Sequence, residues 1–243
     1  MHFQHSPAIW QQFPQLVAGL LVIDSLDPGA DVAARIAPFF QQARVRLADA
    51  TESDLPEVAA WRRAYSQMGM KPTQYRSAAE SLLRRFRKEH ALPQLHPLVD
   101  LCNAVSLAFA LPVAAFDLDQ VADFLHVRHA HGDEQYLAFS GETETPPAGE
   151  IIFADARSHA HARRWTFRQS RRSTVSPATR RALIVSEGLH ASAEADVPAL
   201  IATLARELSA IGIALRGQAI LSAAVPQFTF ETTDPAVPPT VGD

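Results

Sequence analysis

The sequence predicts an α+β protein, and three features carry that prediction. Apolar residues in the first half recur three and four positions apart, which is the spacing of one buried helix face. The second half instead holds short apolar runs of strand length, separated by turn residues. Helices and strands therefore collect in different parts of the chain rather than alternating, as is typical of α+β folds.

The first half is predicted to contain one strand and four helices. The apolar run LVAGLLVI at residues 16–23 is about half as long as a membrane span, so we interpret it as a buried strand and expect no membrane association. Pro38 is expected to kink or split the first helix. The helices are predicted to begin near Asp31, near Ser53, near Thr73 and at Pro97, the last ending near residue 110.

The second half is predicted to be rich in strands. Residues 124–130 and 135–141 alternate in polarity, and the His131-Gly132-Asp133 turn signal between them predicts a hairpin. Further elements are predicted at the end of the chain: strands at 149–155, 181–187 and 218–225, and an amphipathic helix at 196–212.

We expect a single domain over residues 1–230, helical to about residue 112 and strand-rich from 113. The last 13 residues of the chain, 231–243, are rich in proline and threonine, so a disordered tail is predicted.

Composition narrows the function classes. One cysteine, Cys102, excludes an internal disulfide framework and fits a reducing, cytoplasmic location. Neither a phosphate-binding glycine loop nor a G-x-S-x-G motif is present. The histidines at 126, 129, 131, 159 and 161 do not share the spacing of a metal site, so we expect no metal and no cofactor.

Charge is distributed very unevenly. The segment between Asp155 and Glu187 contains eight arginines and no acidic residue, which leaves −12 for the rest of a chain whose total is −4. Two interpretations stay open. The arginines either bind an anionic ligand or RNA, or they form a salt-bridged flank against an acidic neighbouring element.

Two further patterns concern polar and aromatic side chains. Trp165 and Phe167 alternate, which predicts that both face one side of a strand. Core packing alone can explain the two aromatic rings, whereas Arg163, Arg164 and Arg168 beside them would make that face a stacking platform for unpaired bases. Asp100 and Asn103 lie in an otherwise apolar helix, where they are either structural caps or pocket groups.

The middle of the chain resembles a known family. Residues 96–130, HPLVDLCNAVSLAFALPVAAFDLDQVADFLHVRHA, are similar to the VVDxTNYVxxExGxPxHAFDxDK and VRxA motifs of the B3/B4 editing module in the phenylalanyl-tRNA synthetase beta subunit. Residues 137–155 and 173–187 resemble the next two motifs of that module, in the same order. The flanking segments TQYRSAAESLLRR and ARRWTFRQS look more like free-standing B3/B4 proteins.

This resemblance implies a mixed-strand B3/B4-type core with flanking helices, and binding of the aminoacylated 3′ end of a tRNA. The implied reaction is hydrolysis of the ester that joins a wrong amino acid to the terminal ribose. The family's histidine falls on Ala114, its glycine-glycine-glutamate loop falls on residues 168–171, and its closing glutamate falls on Glu187.

The residues are therefore assigned to three expected roles. The expected catalytic residues are Gln169, Ser170, Asn103 and Glu187. The expected substrate-binding residues are Trp165, Arg168, Asp100, Tyr75 and Arg76. The expected RNA-binding residues are Arg163, Arg164, Arg171 and Arg172.

Three functions remain open. The first is a trans-editing aminoacyl-tRNA deacylase. The second is a module that binds the 3′ end of a tRNA or another RNA without catalysis, and the loss of the family histidine favours it. The third is a protein that binds a small anionic metabolite through the arginines. The expected partner is tRNA rather than DNA.

Overall fold

The fold is described here from a computed structural model that covers residues 1–24 and 27–231. Within those residues, no helix is both long enough and apolar enough to cross a membrane. The six α-helices of the described residues are α1 Pro7–Gln12, α2 Ala33–Ala48, α3 Pro56–Gln67, α4 Ala78–Glu89, α5 Pro97–Phe109 and α6 Ala193–Ser209.

The strands form two main sheets and one short ribbon. The described strands are β1 His2–His5, β2 Val17–Asp24, β3 Val113–Asp117, β4 Phe124–His129, β5 Tyr136–Leu137, β6 Thr143–Glu144, β7 Ile151–Ala154, β8 Ala160–Arg163, β9 Arg168–Gln169, β10 Arg181–Gly188, β11 Ala214–Leu221 and β12 Gln227–Thr229. One sheet has the order β12-β1-β4-β7-β8-β9 and the other β11-β2-β10-β3. The pair β1–β4 is parallel and its neighbours are antiparallel, which confirms the predicted α+β class with a mixed sheet.

The four-stranded sheet lies at the centre because both of its faces are buried. Leu20 and Val22 of β2 pack toward the six-stranded sheet, whereas Leu21 and Ile23 pack against helices α5 and α6. This explains why the run at residues 16–23 is apolar throughout rather than alternating. Gly19 allows the close approach of α6, because a Cβ there would lie 2.4 Å from the Ile201 side chain.

Several predicted elements are placed differently. The predicted hairpin over 124–141 is wrong: β4 pairs with β1 and β7, and β5 pairs with β6. Helix α2 runs uninterrupted through Pro38. The third helix begins at Ala78 rather than near Thr73, because the Ser77 hydroxyl accepts the backbone N–H of Glu80 and caps it there.

The chain ends also differ from the prediction. Strand β1 and helix α1 precede the first predicted element, and β12 follows the last one. The first half therefore contributes β1 in addition to the predicted strand β2, and each belongs to a sheet completed by strands of the second half. Nearly all of the tail that was predicted to be disordered, residues 232–243, lies outside the described residues.

Candidate functional site

A small cleft opens between the two sheets. It has a volume of about 70 Å³, and most of its wall is apolar. The four-stranded sheet contributes side chains of β3 and β10, and the other sheet contributes β7, β8 and β9. The lining residues are Ala78, Pro112, Val113, Ala114, Phe116, Phe153, Ala162, Trp165, Thr166, Phe167, Arg168, Gln169, Val185 and Glu187.

Glu187 is the carboxylate of this cleft. It is almost fully buried near the end of β10, and its Oε1 accepts the indole N–H of Trp165 at 2.8 Å. The same oxygen lies 2.6 Å from Nε2 of His5. Both side-chain hydrogen bonds from described residues end on Oε1, which leaves Oε2 for whatever occupies the cleft.

Trp165 reaches Glu187 because the chain turns sharply before it. Arg164 and Trp165 have φ angles of 48° and 58°, in the left-handed region. The predicted strand with Trp165 and Phe167 on one side is therefore wrong: residues 164–167 form the turn between β8 and β9. The indole is fully buried and packs edge-on against Phe13 and Trp61, at centroid distances of 4.8 and 4.9 Å. It shapes the cleft wall and offers no exposed face to a base.

The next strand, β9, brings two more predicted residues to the cleft. The amide nitrogen of Gln169 donates to the backbone oxygen of Ala115 at 2.7 Å, which ties β9 across to β3. A second contact of the same nitrogen, 3.4 Å from the oxygen of Ser173, engages its remaining hydrogen. Gln169 therefore presents only its carbonyl oxygen to a ligand. Arg168 stands partly exposed at the cleft wall, 3.5 Å from Glu144.

Ser170, a predicted catalytic residue, is directed away from the cleft. It is fully buried, and its hydroxyl donates to the backbone oxygen of Leu137 at 3.0 Å. Its oxygen also accepts the backbone N–H of Arg172 at 3.2 Å. Both contacts are local structural ones, so the hydroxyl anchors the turn after β9 instead of facing substrate.

Asp100 and Asn103 lie outside the cleft as well. Asp100 accepts the backbone N–H of Leu95 at 2.9 Å, which favours the capping interpretation for this residue. Asn103 lines a separate apolar groove of about 380 Å³, beside exposed Leu95 and Phe139. Gln169 and Val113 border both cavities.

The arginine hairpin, residues 160–169, is largely neutralised by two glutamates. Arg163 is only 5% exposed, and its Nε and Nη2 lie 2.8 and 2.9 Å from the carboxylate oxygens of Glu150. Its Nη1 contacts Glu144. Hydrogen bonding to Glu150, with the nearby charges of Glu150 and Glu144, raises the pKa of Arg163 even though burial opposes this. Arg163 therefore belongs to a salt-bridged flank, and it is not exposed to a phosphate.

The remaining predicted RNA-binding arginines differ in exposure. The Arg164 guanidinium lies over the Tyr75 ring at 4.8 Å and the Phe167 ring at 5.6 Å, with its Nε 3.7 Å from Glu150. Arg171 and Arg172 form a short 3₁₀ turn after β9. In the described part of the chain neither of the two makes an ion pair, and Arg171 is exposed.

A larger polar groove lies next to the cleft. It has a volume of about 670 Å³ and is lined by Gln12, Gln67, Met68, Gly69, Met70, Lys71, Gln74, Tyr75, His129, Pro147, Ala148, Gly149, Glu150, Ile151 and Arg164. Tyr75 packs edge-on against Phe167 with ring centroids 5.5 Å apart, so these two rings separate the polar groove from the cleft. Arg76 lies 3.4 Å from Glu80 and donates to the backbone oxygen of Thr73, which makes it a local structural contact.

One buried histidine, His161, links a serine to an aspartate, and sequence reasoning missed this contact. His161 Nδ1 lies 2.9 Å from the Ser173 hydroxyl, and its Nε2 lies 3.2 Å from Asp155. Although burial would raise the pKa of Asp155, hydrogen bonds from His161 and two backbone N–H groups hold it well below its usual range. Ser173, His161 and Asp155 are all buried and line neither the cleft nor the grooves, so this serine–histidine–aspartate chain supports the fold.

Two groups in the described residues have metal-ligand geometry. In one, the Glu134 carboxylate already accepts from Arg128 and from the backbone N–H groups of His131 and Gly132. In the other, which joins Glu57 with His190 and Asp196, Arg46 binds both oxygens of Glu57 at 2.7 and 2.8 Å. In each group one carboxylate, Glu134 or Glu57, is thus already bound by an arginine.

Comparison with known proteins bears on the middle of the chain. Residues 60–197 match the family model described as B3/4 domain. A segment of 68 residues is 29% identical to the phenylalanine–tRNA ligase beta subunit of Shewanella oneidensis, covering 28% of this chain and 9% of that protein. A segment of 58 residues is 36% identical to the beta subunit of Aromatoleum aromaticum, covering 24% and 7%. The matched segments therefore span less than a tenth of these relatives.

The comparison with solved structures found an N-terminal fragment of the phenylalanyl-tRNA synthetase beta subunit from Pyrococcus horikoshii. It superimposes with a TM-score of 0.48 at 10% sequence identity, covering 88% of this chain and 49% of that one.

Proposed function

The chain belongs to the B3/4 domain family, and we propose that it binds the aminoacylated 3′ end of a tRNA and hydrolyses the ester of a small, wrongly attached amino acid. The observation that carries this proposal is the position of Glu187. A buried carboxylate with one oxygen left for a ligand, inside a small apolar cleft, suits the ammonium group of an α-amino acid whose side chain is also small.

The size of the cleft argues for a small side chain. A volume of about 70 Å³ accepts a few non-hydrogen atoms, and the wall at this point is formed by Ala78, Ala114 and Ala162 together with larger apolar groups. An aromatic side chain would require these walls to move apart, which close-packed interiors resist. Ala114 occupies the position of the histidine in the resembling motif, so the selectivity of this chain need not follow that of the synthetase.

The proposed reaction uses water and a few positioned groups. A water oxygen attacks the ester carbonyl, the bond to the ribose oxygen breaks, and that oxygen takes up a proton, which releases a free amino acid and an uncharged tRNA end. In this reaction Glu187 holds the ammonium group, and Arg168 at the cleft wall stabilises the negative charge that develops on the carbonyl oxygen. The side-chain carbonyl oxygen of Gln169 can accept a hydrogen bond from a ribose hydroxyl.

The polar groove is the proposed path of the terminal nucleotides. It is larger than the cleft, shares the Tyr75–Phe167 wall with it, and carries the exposed cation Lys71 beside Arg164. Carboxamides such as Gln67 and Gln74 can pair with base edges, and cations attract the phosphates. Arg171 and Arg172 are proposed to contact a second phosphate. Arg163 is not proposed to do so, because its guanidinium is bound by Glu144 and Glu150.

We also propose that residues 1–230 form one domain. Strands β1 and β2 come from the first half, and each is paired on both sides by strands of the second half. A chain arranged in this way should unfold in a single transition, because neither half retains a complete sheet without the other.

The experiment is deacylation of a panel of mischarged tRNAs that carry glycine, alanine, serine, valine or tyrosine. We expect hydrolysis of one or more of the small aminoacyl esters and little of tyrosyl-tRNA. Glu187→Gln should reduce kcat/KM by about a hundredfold, whereas the exposed control Glu142→Gln should leave it unchanged. The deacylase proposal fails if no member of the panel is hydrolysed faster than in buffer.

A second function is supported by specific observations. Ser170 and Asn103 lie outside the cleft, and Ala114 offers no polar group to it, so the cleft of this chain holds few catalytic groups. A module that binds the charged end without hydrolysing it would show salt-dependent binding of aminoacyl-tRNA and no turnover of any member of the panel.

A further inference from the structure

The N-terminal strand brings a histidine to the cleft carboxylate. Strand β1 lies outside the matched residues 60–197, and it pairs with β4 in a register that sets His5 opposite Val127. Its side chains alternate between the two faces of the sheet, so Phe3 and His5 are buried while His2 and Gln4 are only partly buried. His5 is 1% exposed, and its ring centroid lies 4.8 Å from that of Trp10.

The contact between His5 and Glu187 is short and deeply buried. Nε2 of His5 lies 2.6 Å from Oε1 of Glu187, and the two side chains are 0% and 3% exposed. The other ring nitrogen, Nδ1, is buried and has no hydrogen-bond partner in the described chain. This asymmetry favours the tautomer whose proton is on Nε2, because a proton on Nδ1 would be buried without an acceptor.

Two donors thus converge on one oxygen of the carboxylate. Trp165 and His5 approach Oε1 from different parts of the chain, and together they determine the rotation of the carboxylate about its χ3 bond. The backbone of the same residue is also held, since the Trp61 indole N–H lies 3.3 Å from its carbonyl oxygen. With Oε1 doubly occupied, Oε2 is the oxygen that can meet a ligand.

We propose that His5 is a positioning residue that holds the Glu187 carboxylate with Oε2 directed at the ammonium group of the bound amino acid. This inference rests on the proposed function. It assigns the N-terminal segment a direct part in the site, whereas the resemblance to the B3/B4 module begins only after that segment. His5 itself does not touch the substrate.

The test is a double-mutant cycle on deacylation, with kcat/KM measured on the mischarged tRNA that the wild-type protein hydrolyses fastest. His5→Ala should lower kcat/KM by tenfold to about a hundredfold, as a misplaced catalytic group does. His5→Gln should remain within about threefold of wild type, because its amide nitrogen can occupy the place of Nε2 and donate to Oε1. In the Glu187→Gln background, His5→Ala should cause no further loss.

The matched control is His2→Gln, on the same strand but on its other face, where His2 Nε2 lies 2.7 Å from His126. It should leave kcat/KM unchanged. Equal losses from His5→Ala and His5→Gln would overturn the proposal, because they would reflect general damage to the fold. An undiminished effect of His5→Ala in the Glu187→Gln background would overturn it as well.

A second measurement separates this inference from the proposed function. In the folded protein, the Nε2 proton of His5 should give a downfield imidazole resonance in the proton NMR spectrum, and Glu187→Gln should shift it upfield or remove it. If no tRNA is hydrolysed but the resonance behaves in this way, the deacylase proposal fails and His5 still orients the cleft carboxylate. Absence of a resonance that responds to Glu187→Gln refutes the positioning role, whatever the activity.

Discussion

The carboxylate that contacts the arginine hairpin and the carboxylate in the neighbouring cleft differ in how many of their oxygens are engaged by other side chains. Glu150, in the hairpin region, has both oxygens bound by the guanidinium of Arg163. Glu187, in the cleft, is contacted on Oε1 by the rings of His5 and Trp165, and no described residue donates a hydrogen bond to its Oε2. The guanidinium of Arg163 is thus paired inside the protein, whereas one oxygen of the Glu187 carboxylate remains available for binding.

This difference shows that charge density along a chain does not determine the field at its surface. The segment between Asp155 and Glu187 carries eight arginines, yet three of them lie within 4 Å of Glu144 or Glu150. A ligand approaching the hairpin therefore meets a nearly balanced network. The contrast can be tested by substitutions at Arg163, Glu134 and Lys71.

The largest effect is expected from Arg163→Ala. This change leaves Glu150, whose side chain is 8% exposed, without its main partner, and breaking such a pair typically lowers the free energy of unfolding by about 3 kcal/mol or more. Urea unfolding followed by circular dichroism measures the loss. The exposed Arg171→Ala control should stay within about 0.5 kcal/mol of wild type. A stable Arg163→Ala variant with weakened RNA binding would contradict the contrast and restore Arg163 as a phosphate contact.

A smaller effect is expected in acid, at a carboxylate engaged on both oxygens by other groups. This carboxylate is that of Glu134. Burial alone would raise its pKa, but hydrogen bonds from the backbone and from Arg128 lower the pKa of Glu134 from 4.5 to about 2. Because the folded pKa is depressed, the stabilisation is present above pH 4.5 and is lost as the pH falls toward 2.

The matching variant is Glu134→Gln. It should lower the free energy of unfolding by about 2 kcal/mol at pH 7, and the difference from wild type should narrow progressively between pH 4.5 and pH 2. Urea unfolding at a series of pH values measures this difference. If the difference in free energy of unfolding stays constant over that pH range, the charge of the Glu134 carboxylate does not contribute to stability.

Long apolar elements were predictable from the sequence, and long-range polar contacts were not. Strand β2 and helix α5 begin and end within about one residue of their predicted bounds, because continuous burial leaves an uninterrupted pattern. The hairpin prediction over 124–141 failed because it rested on a local turn signal, whereas β4 pairs with β7 and places Leu125 and Val127 in the core.

The site was predicted in part for the same reason. Trp165, Arg168, Gln169 and Glu187 meet at the cleft, and these positions lie within or between the segments that resemble the family motifs. His5 could not be foreseen, because it lies 182 positions from Glu187 and no local pattern marks it. The partners of Arg163 are only 13 and 19 positions away, and the glutamates at 144 and 150 were a usable signal for a salt-bridged hairpin.

The smallest expected effect uses the two lysines of the chain, Lys71 and Lys88, which are both exposed. Lys71 lines the polar groove, whereas Lys88 lies in the last turn of α4. Because the two alanine variants have the same net charge, any difference between them reports position rather than total charge.

For single-stranded RNA, loss of one phosphate contact reduces the slope of log K against log salt by about 0.7. Lys71→Ala should show this change in filter-binding titrations with a CCA-ended oligonucleotide, and Lys88→Ala should keep the wild-type slope. Equal changes of slope in the two variants would mean that RNA binding depends on the overall charge of the protein, and would contradict the proposal that the polar groove binds the terminal nucleotides.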